Sequence, residues 1–171
     1  MNNPEISVVL NTLTSKAVLI LGRFANKKRK DVLDALKKEL RKNNLLPIVF
    51  DFNRPDDKDW TEMIKTLAGM CFFVIADVTS PKSSPLELQA LVPDYQIPFV
   101  PIIQEKQNPF AMMQNLQTKY PCVLDAIAYE NKDQLIRILK KGIIERAKKK
   151  RNQLRTIKKR KPKVIRASEF E

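Results

Sequence analysis

Six consecutive apolar residues followed at once by a carboxylate constrain the fold of this chain more than any other feature. Residues 71–76 (CFFVIA) show no polar alternation and are rich in aromatic and β-branched types, which is typical of a strand buried on both faces. Asp77 follows immediately, and a polar segment with two prolines then leads to a helical run that starts at Pro85. The sequence therefore predicts a central strand that delivers a carboxylate to the point where it ends.

Other apolar runs alternate with helical stretches along the chain. Further strands are predicted at 17–21, 47–50, 99–103 and 122–128, and helices at 31–42, 59–69, from 85, at 110–119 and from 132 onward. Strands that alternate with helices at this spacing indicate βαβ units and a parallel sheet covered on both faces. We therefore expect a three-layer α/β, flavodoxin-like fold with a five-stranded parallel sheet in the order 2-1-3-4-5.

The positive charge is concentrated at the end of the chain. Residues 146–166 hold twelve Lys/Arg and no acid, whereas residues 1–145 hold twenty Lys/Arg and seventeen acids, a net charge of +3. We divide the chain into a lead-in segment (1–15), one α/β domain (16–147) and a basic C-terminal tail (148–171). Such a tail is suited to nucleic acid or an anionic membrane surface, and equally to a solvated role in solubility.

Several classes of site are excluded by composition. The chain has no histidine, which removes Ser/His and Cys/His nucleophile pairs and the usual zinc sites. The two cysteines predict reduced, buried thiols, and three glycines leave no GxGxxG or P-loop motif. The acids of residues 51–59 lack the spacing of a calcium loop, so we expect a solvated loop and no metal. No transmembrane run or secretory signal is apparent, and a cytoplasmic location is expected.

The expected topology itself selects a site. In a 2-1-3-4-5 sheet, ligands bind outside the carboxyl ends of strands 1 and 3, where the strand order reverses. Those ends carry Gly22, Arg23 and Phe24 on one strand and Asp77 and Thr79 on the other. Arg23 is either a phosphate ligand or a solvated loop arginine. Phe24, like Trp60 further along, either stacks on a base or belongs to the core.

Glu87 has two interpretations that the sequence leaves open. Ser84 and Glu87 have the spacing of a capping box, in which a hydroxyl and a glutamate satisfy the first amides of a helix. The same glutamate, held at a helix N-terminus beside the crevice, would stay ionised. An ionised carboxylate there can stabilise or capture a ribosyl cation during glycosidic cleavage.

Residues 73–103, with a buried strand, a Ser/Pro-rich loop, a helix that opens in Glu87-Leu88 and then IPFVPII, resemble the central part of Toll/interleukin-1 receptor (TIR) domains, particularly the TIR-like domains of bacterial proteins. The segments VLILGRF and DVLDALKKELRKNNLLPIVFDF resemble the first strand, helix and second strand of that group. The resemblance covers roughly residues 16–144.

This resemblance implies cleavage of the nicotinamide N-glycosidic bond of NAD, as a substrate and not a cofactor, in a signalling or defence role. It places the catalytic glutamate on Glu87 and the nucleotide-bordering loop on Gly22, Arg23 and Phe24. Four further candidate substrate-binding residues are Asp51 and Trp60, which bound the loop after the second strand, and Asp77 and Thr79, near the sugar. Ser84 completes the set of candidate substrate-binding residues.

Two alternatives remain within the same resemblance. Many TIR domains are assembly modules, so a non-catalytic domain that binds a nucleotide is the first alternative. In either case the resemblance implies self-association or contact with another TIR-like domain. Nucleoside 2-deoxyribosyltransferases share the fold and use a comparable glutamate as nucleophile, which makes deoxyribosyl transfer the second alternative. The Thr79, Ser80 and Ser84 loop departs from the residues usual in TIR domains.

Overall fold

The protein is described by a computed structural model. The structure describes residues 4–22, 24, 27–51, 58–79, 92, 97–106, 111–159 and 169. Its centre is one five-stranded parallel sheet in the order β2-β1-β3-β4-β5, as the sequence predicts. The strands are β1 (Ala17–Gly22), β2 (Leu46–Asp51), β3 (Phe73–Asp77), β4 (Phe99–Gln104) and β5 (Ile127–Tyr129).

The inner strands are buried along their whole length because both of their faces are apolar. Every residue of β1 and β3 is buried, and β4 is buried up to Ile103. β3 begins two residues later than predicted and extends to Asp77, so the carboxylate belongs to the strand itself. β5 is shorter than predicted, because the chain at 121–126 makes only a single bridge to the sheet, Val123 to Phe99.

Helices cover both faces of the sheet. Within the described residues they are α1 (Pro4–Lys16), α2 (Lys27–Lys42), α3 (Lys58–Met70), α4 (Ala111–Lys119), α5 (Lys132–Ile138) and α6 (Arg146–Lys159), and a π-helical segment, Leu139–Glu145, joins α5 to α6. The helix predicted from residue 85 lies outside the described residues. α2, α5 and the π-helical segment pack on one face, against residues such as Ile20 and Ile75. α3 and α4 pack on the other face, against residues such as Leu19 and Val74.

α2 begins four residues earlier than predicted and ends where predicted. Its first turn includes Arg29, which lies on the same stripe as the buried residues Leu33, Leu36 and Leu40. Asn44 follows the helix with a φ of 59°, a left-handed conformation that asparagine tolerates, and Leu45 N donates to Leu40 O at 3.0 Å. The early start of α2 brings an arginine to the edge of the core.

Residues 4–16, most of the lead-in segment, form a helix, and no residue of α1 is fully buried. α1 runs directly into β1, and Leu13 is the α1 side chain that packs against the core. α6 is more firmly attached to the core than α1. The boundary that we expected near Ala147 falls within a continuous helical run, and Leu154, seven residues later, is 7% exposed and belongs to the core.

None of the helices in the described residues is long and apolar enough to cross a membrane. Cys71 and Cys122 are free and buried, as the sequence predicts.

Candidate functional site

The strand ends that the topology selects lie side by side. Gly22, the last residue of β1, is in register with Asp51 of β2, and its neighbour Leu21 is in register with Ala76 of β3. Asp77 therefore lies next to Gly22 at the carboxyl edge of the sheet. Three consecutive strands in the order β2-β1-β3 thus end at the same level, at the point where the strand order reverses.

Gly22 is required by the close approach of its neighbours and not by its backbone angles. A β-carbon at this position would lie 2.7 Å from Cζ of Phe24 and 3.1 Å from Cβ of Asp77. The Phe24 ring is 2% exposed and belongs to the core on the α2 and α5 face. The missing side chain therefore lets the aromatic ring pack directly beside the end of β3.

An ion pair is buried at this edge of the sheet. Nη1 of Arg29 lies 3.2 Å from Oδ2 of Asp77, and the two side chains are 11% and 4% exposed. Asp77 follows Phe73 and Ile75 in the alternation of β3, so it faces the layer of α2, from which Arg29 projects. Oδ2 of Asp77 carries this ion pair and accepts no hydrogen bond from the described residues.

Tyr129, on the edge strand β5, also contacts this ion pair. Nη1 of Arg29 donates to the Tyr129 hydroxyl at 2.7 Å, across one hundred residues of sequence. Tyr129 is the last residue of β5 and is 1% exposed. Burial raises the pKa of this phenol, and the negative charge of Asp77 raises it further, against the opposing effect of Arg29. The phenol therefore stays protonated at neutral pH.

Thr79 closes the network on the other oxygen of Asp77. Both the backbone amide and the hydroxyl of Thr79 donate to Oδ1, at 3.0 and 2.6 Å. The same hydroxyl accepts from the backbone amide of Gln104 at 3.0 Å, which links the chain after β3 to the end of β4. One carboxylate thus connects α2, β3, β4 and, through Arg29, β5.

The side chains of this network are buried, and they hold the end of β3 in place. Asp77 and Thr79 are 6% and 7% exposed, so neither side chain is open to solvent. The hydrogen bonds of the network fix the backbone at the end of β3 as far as Thr79. Among the described residues, no group of three or more Cys, Asp or Glu is arranged to hold a metal ion.

Of the residues predicted for the site, the structure brings Gly22, Phe24, Asp77 and Thr79 together. Asp51 adjoins them through its backbone in β2, and Trp60 lies in the first turn of α3. Arg23, Ser84 and Glu87 lie outside the described residues, as does the interior of the predicted loop at 52–57.

Sequence reasoning did not find Arg29 and Tyr129. A signal existed for Arg29, because it continues the apolar stripe of α2 at helical spacing (29, 33, 36, 40), where a charged residue must find a buried partner. The signal for Tyr129 was weaker: a tyrosine at the end of a strand in a parallel sheet reaches the same edge as Asp77.

The fold and this edge define an α/β, flavodoxin-like protein with a buried polar cluster at its switch point. No family model matches the chain, and no curated protein matches it. The resemblance to TIR domains therefore stays a hypothesis that rests on the residues quoted for it.

Several solved structures share the fold, two of which are a glycosidase and a flavoprotein. The CMP N-glycosidase BcmB of Clostridium botulinum is 17% identical, with a TM-score of 0.57, over 73% of this chain and 98% of that one. A diflavin flavoprotein A3 from Nostoc sp. is 14% identical, with a TM-score of 0.52, over 82% of this chain and 97% of that one. At these identities the likeness is one of fold.

Proposed function

We propose that this protein cleaves the N-glycosidic bond of a nucleotide, and that NAD is its first candidate substrate. The observation that carries the proposal is the buried cluster of Asp77, Thr79, Arg29 and Tyr129 at the switch point of the sheet. Buried polar groups linked in this way occur where an edge must be held in one geometry. Ligands of open parallel sheets bind at this edge.

Glu87 is the proposed catalytic residue, ten positions after Asp77 in the sequence. The bond between C1′ of the ribose and the base nitrogen breaks, and the electron pair leaves with the base. The carboxylate of Glu87 either stabilises the cation at C1′ or captures it as a glycosyl ester. Water then adds to C1′, breaking the bond to the carboxylate where one has formed, and loses a proton to solvent or to the carboxylate. Asp77 and Thr79 act as positioning residues that hold the end of β3, from which the chain continues to Glu87.

The chemistry of the leaving group favours NAD within this class. The nicotinamide ring of NAD⁺ is positively charged and becomes neutral when it departs, so it needs no proton donor. The chain has no histidine to supply such a proton, and the phenol of Tyr129 is sealed inside the cluster. A substrate with a cationic leaving group therefore suits this chain better than one with a neutral base.

A pyrimidine nucleoside monophosphate is the second candidate substrate. The fold is shared with a CMP N-glycosidase over nearly the whole length of that chain, which supports the same class of reaction by analogy of fold. Deoxynucleosides should be tested as well, because transfer of deoxyribose between bases also breaks the N-glycosidic bond.

The test uses chromatography to measure the release of free base from NAD, CMP and deoxycytidine. The protein concentration is varied, because the TIR resemblance implies self-association. We expect the wild type to release nicotinamide and Glu87→Gln to be slower by roughly 100- to 1,000-fold. Glu145→Gln is the matched control, because Glu145 is an exposed glutamate of the π-helical segment. No release from any of the three compounds, even at the highest protein concentration, would favour the non-catalytic alternative.

A further inference from the structure

We propose that the exposed face of α6 binds the phosphate backbone of a nucleic-acid duplex. The fourteen residues of α6, RAKKKRNQLRTIKK, contain eight Lys/Arg and no acid. A helix with this composition matches the charge of a duplex, in which each phosphate carries one negative charge.

The structure fixes which side of α6 faces outward. Ala147 and Leu154 are buried in the core. Nη1 of Arg151 donates to the carbonyl oxygens of Cys71 and Phe72, at 3.0 and 2.5 Å, and the guanidinium lies 5.3 Å from the centre of the Phe72 ring. The helix is therefore held in one orientation on the domain. The outward residues are Lys148, Lys149, Asn152, Gln153, Arg155, Thr156 and Ile157.

Most of the outward cations form no ion pair with the acidic residues that the structure describes. Within the described part of the chain, Arg146 is the α6 residue with an acidic partner, Oδ2 of Asp125 at 3.8 Å, and that aspartate side chain is 96% exposed. Lys148, Lys149 and Arg155 form no ion pair with described residues. Adjacent like charges raise the local positive potential, which attracts a polyanion.

Two grooves along α6 provide places for phosphate and sugar. One, of about 280 Å³, lies between α6 and residues 123–125 and is lined by the cations Arg146, Lys149 and Lys150 together with Gln153. The other, of about 580 Å³, is lined by Lys149, Asn152, Gln153, Thr156 and Ile157. Lysine, arginine, amide and hydroxyl groups are the usual donors to phosphate oxygens.

The character of the exposed face distinguishes a duplex from other anionic partners. A helix that lies on a membrane turns large apolar residues outward, whereas α6 turns Leu154 inward and exposes a single large apolar residue, Ile157, at 54%. Single strands are held by stacking on aromatic rings, and α6 has no aromatic residue. Backbone contact with a duplex needs neither feature.

α6 lies at the amino edge of the sheet, where the parallel strands begin, whereas the proposed catalytic site lies at the carboxyl edge, where they end. Arg151 binds the chain just before β3 begins, whereas Asp77 is the residue at which β3 ends. A duplex bound to α6 is therefore not the substrate of that site. The two activities occupy separate surfaces, and loss of one leaves the other intact.

The test measures binding of a short fluorescent DNA duplex by anisotropy over a range of salt concentrations. The variant Lys148→Gln/Lys149→Gln/Arg155→Gln removes three outward charges of α6. We expect it to bind about 100-fold more weakly near 0.1 M salt, with a slope of log affinity against log salt that is smaller by about three. Lys28→Gln/Lys38→Gln/Lys132→Gln removes three exposed charges from α2 and α5 and serves as the matched control.

Circular dichroism is used to check that both triple variants are folded. Binding through the basic residues at 160–166 is common to both, so the difference between them reports α6 alone. Equal weakening by the two variants would overturn the proposal, because net charge would then explain the binding. Tighter binding to a single strand of the same length, or to vesicles that contain phosphatidylserine, would also overturn it.

Discussion

The two edges of the sheet use charged residues in opposite ways. At the carboxyl edge, Arg29 and Asp77 are buried, paired and linked to Tyr129. At the amino edge, α6 exposes cations that have no acidic partner among the described residues, apart from Arg146. Buried and paired charges fix geometry, whereas exposed and unpaired charges attract ligands. The comparison therefore assigns positioning to the first group and recognition to the second.

Arg29 and Arg151 are both anchored to the domain, but by different kinds of partner. Arg29 is held by a carboxylate and a phenol, whereas Arg151 is held by two backbone carbonyls. Burial lowers the pKa of Arg151, and the positive charge of Arg155 lowers it further. Arg151 thus belongs to the anchored side of α6, and Arg155 belongs to its outward side.

The largest effect is expected where a buried charge loses its partner. Asp77→Asn removes the carboxylate charge that pairs with Arg29 in a buried site and should lower the free energy of unfolding by about 3–5 kcal/mol. Asp125→Asn is the matched control, because its side chain is 96% exposed and its pairing with Arg146 should contribute less than about 1 kcal/mol. Urea unfolding measures both. Equal effects of the two substitutions would remove the distinction between the edges.

A smaller effect depends on pH at the amino edge, where Cys71 lies just before β3. Burial raises the pKa of its thiol from 9.0 to about 11, so the native state keeps a proton that the unfolded chain loses. This contribution to stability is complete below pH 9 and is lost as pH rises through 11, by about 2–3 kcal/mol. Unfolding at pH 8 and pH 11 should show a smaller loss in Cys71→Ala, which retains Tyr129 and Cys122. An unchanged loss would contradict the assignment.

The anchor of α6 can be tested separately from its charge. Arg151→Met removes both hydrogen bonds to the carbonyls of Cys71 and Phe72 and should destabilise the fold by about 2 kcal/mol. Arg155→Met removes the same charge from an exposed position and should change stability by less than about 0.5 kcal/mol. Thermal unfolding compares them, and a larger effect of Arg155→Met would reverse the assignment of the two faces.

The smallest expected effect concerns the close packing at the end of β1. Gly22→Ala forces a β-carbon against the Phe24 ring and Asp77 and should destabilise by about 1–2 kcal/mol. Gly142→Ala meets two isoleucine side chains, of which the nearest atom is Cδ1 of Ile138 at 3.0 Å, in a helical segment where alanine is preferred, and should be close to neutral. Chemical denaturation compares the two variants, and an equal loss of stability would contradict the close packing at Gly22.

The sheet could be predicted from sequence because its signal is local. The apolar runs of β1 and β3 need no knowledge of distant residues, and their order follows from the alternation with helices. Gly22, Asp77 and Thr79 could be predicted as site residues for the same reason, since they follow directly after predicted strands.

The partners of Asp77 could not be predicted in the same way. The first turn of α2 has the composition of a solvated lysine-rich loop, which hides the buried Arg29 among exposed neighbours. Tyr129 contacts Arg29 across one hundred residues, and Arg151 reaches the start of β3 across about eighty. Such contacts depend on how the strands and helices pack, and no local pattern specifies them.

The most direct test of the separation between the two edges is a single assay of nicotinamide release from NAD by three proteins. The account predicts equal rates for the wild type and for Lys148→Gln/Lys149→Gln/Arg155→Gln, and a rate lower by roughly 100-fold or more for Glu87→Gln. A Glu87→Gln rate equal to that of the wild type, or a rate lost with the α6 charges, would contradict it.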